Sequence, residues 1–84
     1  MFTAKVYVTL KDAVLDPQGN AVRSALHSLG FAEIEDLRIG KYMEVAVALK
    51  DEKAAHSRVD AMCQRLLANP VIENYRFELV EEKQ

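Results

Sequence analysis

The period of the hydrophobic pattern switches back and forth between two and 3.6 along this chain, and that order restricts the fold more than any other feature. Phe2, Ala4, Val6, Val8 and Leu10 alternate with Thr3, Lys5, Tyr7 and Thr9. β-Branched residues at period two make a half-buried strand. Asp16-Pro17 then opens a helix. An aspartate caps the orphan amides of a first turn, and proline has no amide proton to leave unpaired there. Val22, Ala25, Leu26 and Leu29 form a single apolar stripe. Gly30 supplies the left-handed turn that ends such a helix, with Phe31 placed to pack back on it.

Residues Ile34 to Ile39 and Tyr42 to Leu49 read as two strands joined at Gly40-Lys41, a pair that fits a two-residue hairpin turn. Met43, Val45, Val47 and Leu49 share one face of the second strand. Ile34 falls out of phase with Leu37 and Ile39, which predicts a bulge near Glu35-Asp36 or a late start. Asp51 caps a second helix with the stripe Ala55, Val59, Met62, Cys63 and Leu66, Leu67 lying beside it, and Asn69-Pro70 stops it. A last strand runs from Val71 to about Val80, followed by a polar tail over residues 81–84.

The order β-α-β-β-α-β gives an α+β fold of the split, ferredoxin-like kind. One apolar stripe per helix requires both helices to cover one face of a four-stranded antiparallel sheet. The whole chain, 1–84, is one domain. Its other sheet face would hold Tyr7, Tyr42, Ala46, Ala48, Ile72 and Val80 among Lys5, Glu44, Arg76 and Glu78. That is too apolar for a plain solvent face, so a partner should cover part of it.

Composition sets limits on function. Half the residues are hydrophobic and 29% are charged, as in a globular domain. A chain of 84 residues buries only about 63% of its surface, so help from oligomerisation is expected. Thirteen acidic and eleven basic residues give a net charge of −2, and the basic ones are scattered. The electrostatic footprint of a nucleic-acid binder is missing. A lone cysteine, Cys63, excludes an internal disulfide and a multi-cysteine metal site. No apolar run has the length of a membrane helix, and the chain reads as cytoplasmic.

Chemistry is sparse. His27 has no carboxylate or nucleophile at a useful helical spacing, and His56 stands four residues before Asp60, a common surface pairing. Cys63 belongs to a core stripe, where a thiol behaves as a small hydrophobe. No nucleophile, base and orienting group come together, so no catalytic, cofactor-binding or metal-binding residues are assigned. Gly19 costs about 1 kcal/mol in a first helical turn relative to alanine, which points to close packing, capping or a partner's approach. The run Lys11 to Leu15 is a loop carrying two exposed-looking apolar residues.

Several stretches together resemble the PurS family, the small subunits of phosphoribosylformylglycinamidine synthase. They are Val6 to Lys11, Val14-Leu15-Asp16-Pro17-Gln18-Gly19, Leu29-Gly30-Phe31, Arg38 to Tyr42 and Leu67 to Tyr75. The resemblance implies a non-catalytic subunit of an ATP-dependent, glutamine-using ligase of purine biosynthesis. It implies a homodimer or tetramer that joins a glutaminase subunit to a synthetase subunit and supports ammonia transfer between them. ATP and Mg²⁺ would belong to the large subunit. Signature positions Lys11, Asp16, Gln18, Gly19, Gly40, Lys41 and Tyr42 become candidate partner contacts. The alternative is an ACT-like small-molecule-sensing module that dimerises through its sheet, since fold does not fix function.

Overall fold

The computed structural model describes residues 1–82. Among these residues three strands and two helices follow one another: β1 (Phe2–Leu10), α1 (Pro17–Ser28), β2 (Gly40–Val47), α2 (Glu52–Met62) and β3 (Glu73–Glu81). A π-helical turn, Cys63–Leu67, extends α2. The sheet is antiparallel with order β2-β1-β3, so β1 is central and the other two are edges.

The sheet therefore has three strands, where the pattern of alternation called for four. Residues 34–39 form no ladder. Their polar backbone groups are satisfied in another way. The Leu37 amide donates to Asp36 Oδ1 at 2.9 Å and the Ile39 amide to Asp16 Oδ2 at 3.0 Å. Carboxylates take the bonds that a neighbouring strand would have taken, and the phase break at Ile34 leaves no continuous face to bury. Gly40-Lys41 is accordingly no hairpin turn but the start of β2, opposite Thr9 and Val8.

The helices also part company. The core consists of Phe2, Ala4, Val6 and Val8 from β1, Val47 from β2, Ala55 and Val59 from α2, Cys63 from its extension, and Ala68 just beyond it. Met43, Val45, Tyr75, Phe77 and Leu79 complete it from the edges. All of this lies under α2. Helix α1 does not pack on the sheet beside α2, and Val22, Leu29 and Phe31 are 40%, 74% and 47% exposed. The expectation that both helices cover one face is thus corrected to one.

Local signals at the helix ends hold. Asp16 caps α1 through Gly19 N and Pro17 begins it. At its end, Phe31 N donates to Leu26 O and Gly30 N to His27 O, with Gly30 at φ 100°. This paired bonding requires the left-handed glycine that the sequence placed there. Asp51 caps α2 through Ala54 N. The π-helical turn changes the end of the second stripe. Its Ala68 N–H bonds to Cys63 O, five residues back. The wider turn carries Leu66 out to 83% exposure and leaves Leu67 packed against the core.

Strand β3 ends at Glu81, and Glu82 N donates to Met1 O, so the start of the expected tail is part of the sheet. The remainder of that tail, residues 83–84, lies outside the described residues.

The molecule is open for its size. Its radius of gyration is 16.4 Å and its extents are 49 × 30 × 14 Å. A compact chain of this length has a radius near 12 Å. The accessible surface is 6243 Å², against about 5,000 Å² for a folded monomer of this mass.

Urea unfolding checks the position of the core. Val59→Ala, at a side chain with no exposed surface, is expected to cost about 2 kcal/mol. Leu15→Ala, 72% exposed in the loop before α1, should stay within about 0.5 kcal/mol.

Candidate functional site

The root of α1 gathers most of the signature positions. The Asp16 carboxylate is buried and accepts two backbone N–H groups, from Gly19 at 2.9 Å and from Ile39 at 3.0 Å. One side chain thus caps α1 and fixes the segment entering β2. These two bonds, Ile39 first, hold its carboxyl below the usual carboxylate range, and Arg38 adds to them. Gly19 is buried beside it. A Cβ there would stand 2.6 Å from Asp16 Oδ2 and from Leu37 O, so only glycine fits. Gly40 answers to a similar constraint, since a Cβ would collide with the Val8 carbonyl.

Arg38 closes the root from the other side. Its guanidinium donates to Leu10 O and Lys11 O, both at 2.7 Å. Lys11 N in turn donates to Ile72 O at 2.8 Å. Of the seven signature positions, Asp16, Gly19 and Gly40 therefore act within the chain, and the Lys11 backbone does too. Gln18, Lys41 and Tyr42 remain outward-facing.

Two clefts meet here. The smaller, about 190 Å³, is lined by Asp16, Gln18, Gly40, Lys41 and Glu73 among others. Lys41 Nζ reaches Glu73 Oε2 at 3.9 Å. The larger, about 380 Å³, lies on the sheet face away from α2 and includes Tyr7, Thr9, Tyr42, Asn74 and Arg76. Sheet register brings these together: Tyr7 stands between Tyr42 on β2 and Arg76 on β3. The two tyrosine rings are 5.1 Å apart, and the Arg76 guanidinium lies 4.0 Å from the Tyr7 ring centre. The Tyr7 hydroxyl donates to Glu78 Oε1 at 3.2 Å, and desolvation together with that bond raises its pKa. Lys5 lies between Glu44 and Glu78 in the next row.

Arg38 and Glu73 were not singled out from the sequence. Arg38 is the second residue before Gly40, and only the fold shows that it spans to β1. Glu73 Oε1 accepts from Asn69 N at 2.7 Å and so anchors the turn before β3.

The titratable residues weighed as chemistry lie apart from this region. His27 Nε2 is 2.7 Å from Ile34 O, which ties α1 to the segment returning from it. The His56 ring rests 4.7 Å from Phe77. Asp60 engages the Tyr75 hydroxyl at 2.8 Å and Gln64 Nε2 at 2.9 Å, and no bond joins it to His56. Cys63 is buried, and burial pushes its thiol pKa up. Among the described residues no cluster of three His, Cys, Asp or Glu side chains could hold a metal ion. None of their helices is long and apolar enough to cross a membrane.

The root makes two predictions. Gly19→Ala should lower the melting temperature more than the helix propensity of alanine would raise it, because the Cβ has no room. Asp16 has a lowered pKa in the fold, so its contribution is present above the ordinary carboxylate pKa and is lost as pH falls through the folded value. Acid titration of stability should therefore show a smaller loss below that range for Asp16→Asn than for the unaltered chain. Equal acid losses in the two would contradict this role.

Comparison with known proteins agrees with the architecture. The family model "PurS: Phosphoribosylformylglycinamidine (FGAM) synthase" matches residues 3–81. The Bacillus subtilis phosphoribosylformylglycinamidine synthase subunit PurS is 53% identical over 81 residues, 96% of this chain and 95% of that protein. The crystal structure of Methanocaldococcus jannaschii PurS, described as one of the subunits of formylglycinamide ribonucleotide amidotransferase in the purine biosynthetic pathway, superposes with a TM-score of 0.87. It is 32% identical and covers 99% of this chain and 100% of its own. A chain of the Thermotoga maritima PurLQS structure gives a TM-score of 0.84 at 26% identity, covering 95% of this chain and 99% of its own. The chain belongs to the PurS family and is a subunit of phosphoribosylformylglycinamidine synthase, a ligase complex of purine biosynthesis.

Proposed function

We propose that this chain is the bridging subunit of its synthase: it joins the glutaminase subunit to the synthetase subunit and supports ammonia transfer between their active sites. ATP and Mg²⁺ belong to the large subunit, and the assembly works in the cytoplasm. The observation that carries this reading is the detachment of α1. A helix with an apolar stripe stands clear of its own sheet, rooted at Asp16, with Leu29 and Phe31 facing solvent. An exposed stripe of this kind is an interaction surface.

A homodimer uses that surface first. Beside α2 lies an apolar groove of about 330 Å³, lined by Val45, Ala61, Met62, Leu66 and Leu67 with Arg58 and Arg65 at its rim. It occupies the flank of α2 where the second helix of a split α+β fold would lie. The α1 stripe of a second copy supplies matching apolar side chains, and Glu33 and Glu35 beyond α1 suit the arginines. The excess surface, about 1,200 Å² over a compact monomer, is enough for a standard interface, which takes about 800 Å² from each partner.

The coupling role follows from chemistry. Ammonia released into bulk water is protonated and diluted, so transfer between two active sites has to be sheltered. A subunit that aligns those sites contributes geometry, and no acid or base of its own is needed. The occurrence of a similar chain in the Thermotoga maritima PurLQS structure supports this reading.

Reconstitution with the two larger subunits tests it. Omitting the chain should abolish most glutamine-dependent turnover while ammonia-dependent turnover of the synthetase stays within about twofold. Leu29→Asp, at a side chain that is solvent-exposed in the single chain, should reduce glutamine-dependent turnover by at least about tenfold. Glutamine-dependent turnover that proceeds unchanged without the chain would overturn the proposal.

A further inference from the structure

The cleft on the sheet face away from α2 gathers polar side chains that have no partner within the chain. Antiparallel register sets Tyr42, Tyr7 and Arg76 side by side in one row, and Gly40, Thr9 and Asn74 in the next. Gly40 brings no side chain to the second row, which leaves the cleft open beside Tyr42. Its volume of about 380 Å³ is that of a small-molecule site.

Arg76 is held in place but not engaged. Its guanidinium lies 4.0 Å from the Tyr7 ring centre. Glu78, two residues along the same face, accepts the Tyr7 hydroxyl instead. Among the described residues Arg76 has no ion-pair partner, the one such pair being Lys41 with Glu73. The side chains of Thr9, Tyr42 and Asn74 are exposed and make no hydrogen bond among the described residues either.

We propose that this cleft binds a nucleoside monophosphate. The base stacks on Tyr42, the phosphate takes the in-plane N–H groups of Arg76, and Thr9 and Asn74 hydrogen-bond between them. A guanidinium is a planar fork that matches phosphate oxygens, and the Tyr7 ring already orients it. Tyr42 offers an exposed aromatic face, which every base can use. Tyr42 and Arg76 stand two strands apart, about 10 Å. A base, a ribose and a phosphate fill that span end to end. Charge limits the ligand to one phosphate. Lys41 lines the same cleft and adds a second cation near Arg76, but the row beyond Tyr7 holds Glu44 and Glu78 on either side of Lys5. A triphosphate would run onto those glutamates. A nucleic-acid strand would need a train of cations that this chain lacks, whereas a mononucleotide needs only these two. The site does not depend on the bridging role.

Titration of the full chain with adenosine monophosphate, read by calorimetry and by amide NMR shifts, tests the assignment. Binding should saturate with a dissociation constant at or below about 1 mM. The shifts should centre on Thr9, Tyr42, Asn74 and Arg76, a reading that needs no variant. Adenosine and inorganic phosphate should each bind at least about tenfold more weakly, since each keeps only part of the contacts. Arg76→Gln and Tyr42→Leu should each weaken binding by about tenfold or more, and Tyr42→Phe, which keeps the ring, by less than about threefold. Both positions are exposed, so these changes leave the core untouched. The proposal is overturned if binding fails to saturate by about 10 mM. It is overturned equally if the shifts centre elsewhere, if adenosine or inorganic phosphate binds as tightly as the nucleotide, or if Arg76→Gln or Tyr42→Leu binds like the unaltered chain. Adenosine triphosphate binding more than about tenfold tighter than the monophosphate would overturn it as well.

Discussion

The Asp16 carboxylate carries more of this architecture than any other side chain. Through Gly19 it starts α1, and through Ile39 it holds the segment that enters β2. Arg38 completes the clamp by binding the carbonyls at the end of β1. Helix α1 is therefore fixed firmly at its first turn and little elsewhere. Arg23 and His27 tie it to Glu35 and Ile34 of its own returning segment, so helix and return form one arm. The arm projects from a sheet that carries only α2, and the elongated shape follows from that arrangement.

An arm of this kind suits an assembling subunit better than a free-standing domain. Small chains bury too little surface to be generous with apolar side chains, yet here Leu29, Phe31, Leu66 and Val71 all face water. The sheet face away from α2 is no more neutral. It carries rows of tyrosine, arginine, glutamate and lysine in ordered register across three strands. Under the proposed bridging role, such surfaces are what sets the distance and orientation between the sites of the larger subunits.

Much of this was legible in the sequence because the signals were local. The alternation in β1 and the faces of β2 and β3 survive intact in the fold. So do the caps Asp16 and Asp51, the left-handed Gly30 and the buried Cys63. The failures came where a distant group competed with local pattern. Residues 34–39 look like a strand until Asp16, twenty-three residues away, takes the amide of Ile39. Gly40 looks like a turn residue, but its missing side chain serves close approach to Val8. Leu66 looks like core until the π-helical turn rotates it outward. The stripe of α1 is apolar as its spacing predicts, but it stays exposed instead of packing on its own sheet. Of the candidate contact residues, Asp16, Gly19 and Gly40 have structural roles within the chain, while Gln18, Lys41 and Tyr42 lie at the surface.

The central claim is that one copy of this chain does not close its own fold. Sedimentation velocity across a dilution series, with unfolding followed on the same samples, tests that most directly. The account predicts a mass of at least twice 9.5 kDa, with stability that falls as the protein is diluted. A monomer of 9.5 kDa whose stability is independent of concentration would contradict it.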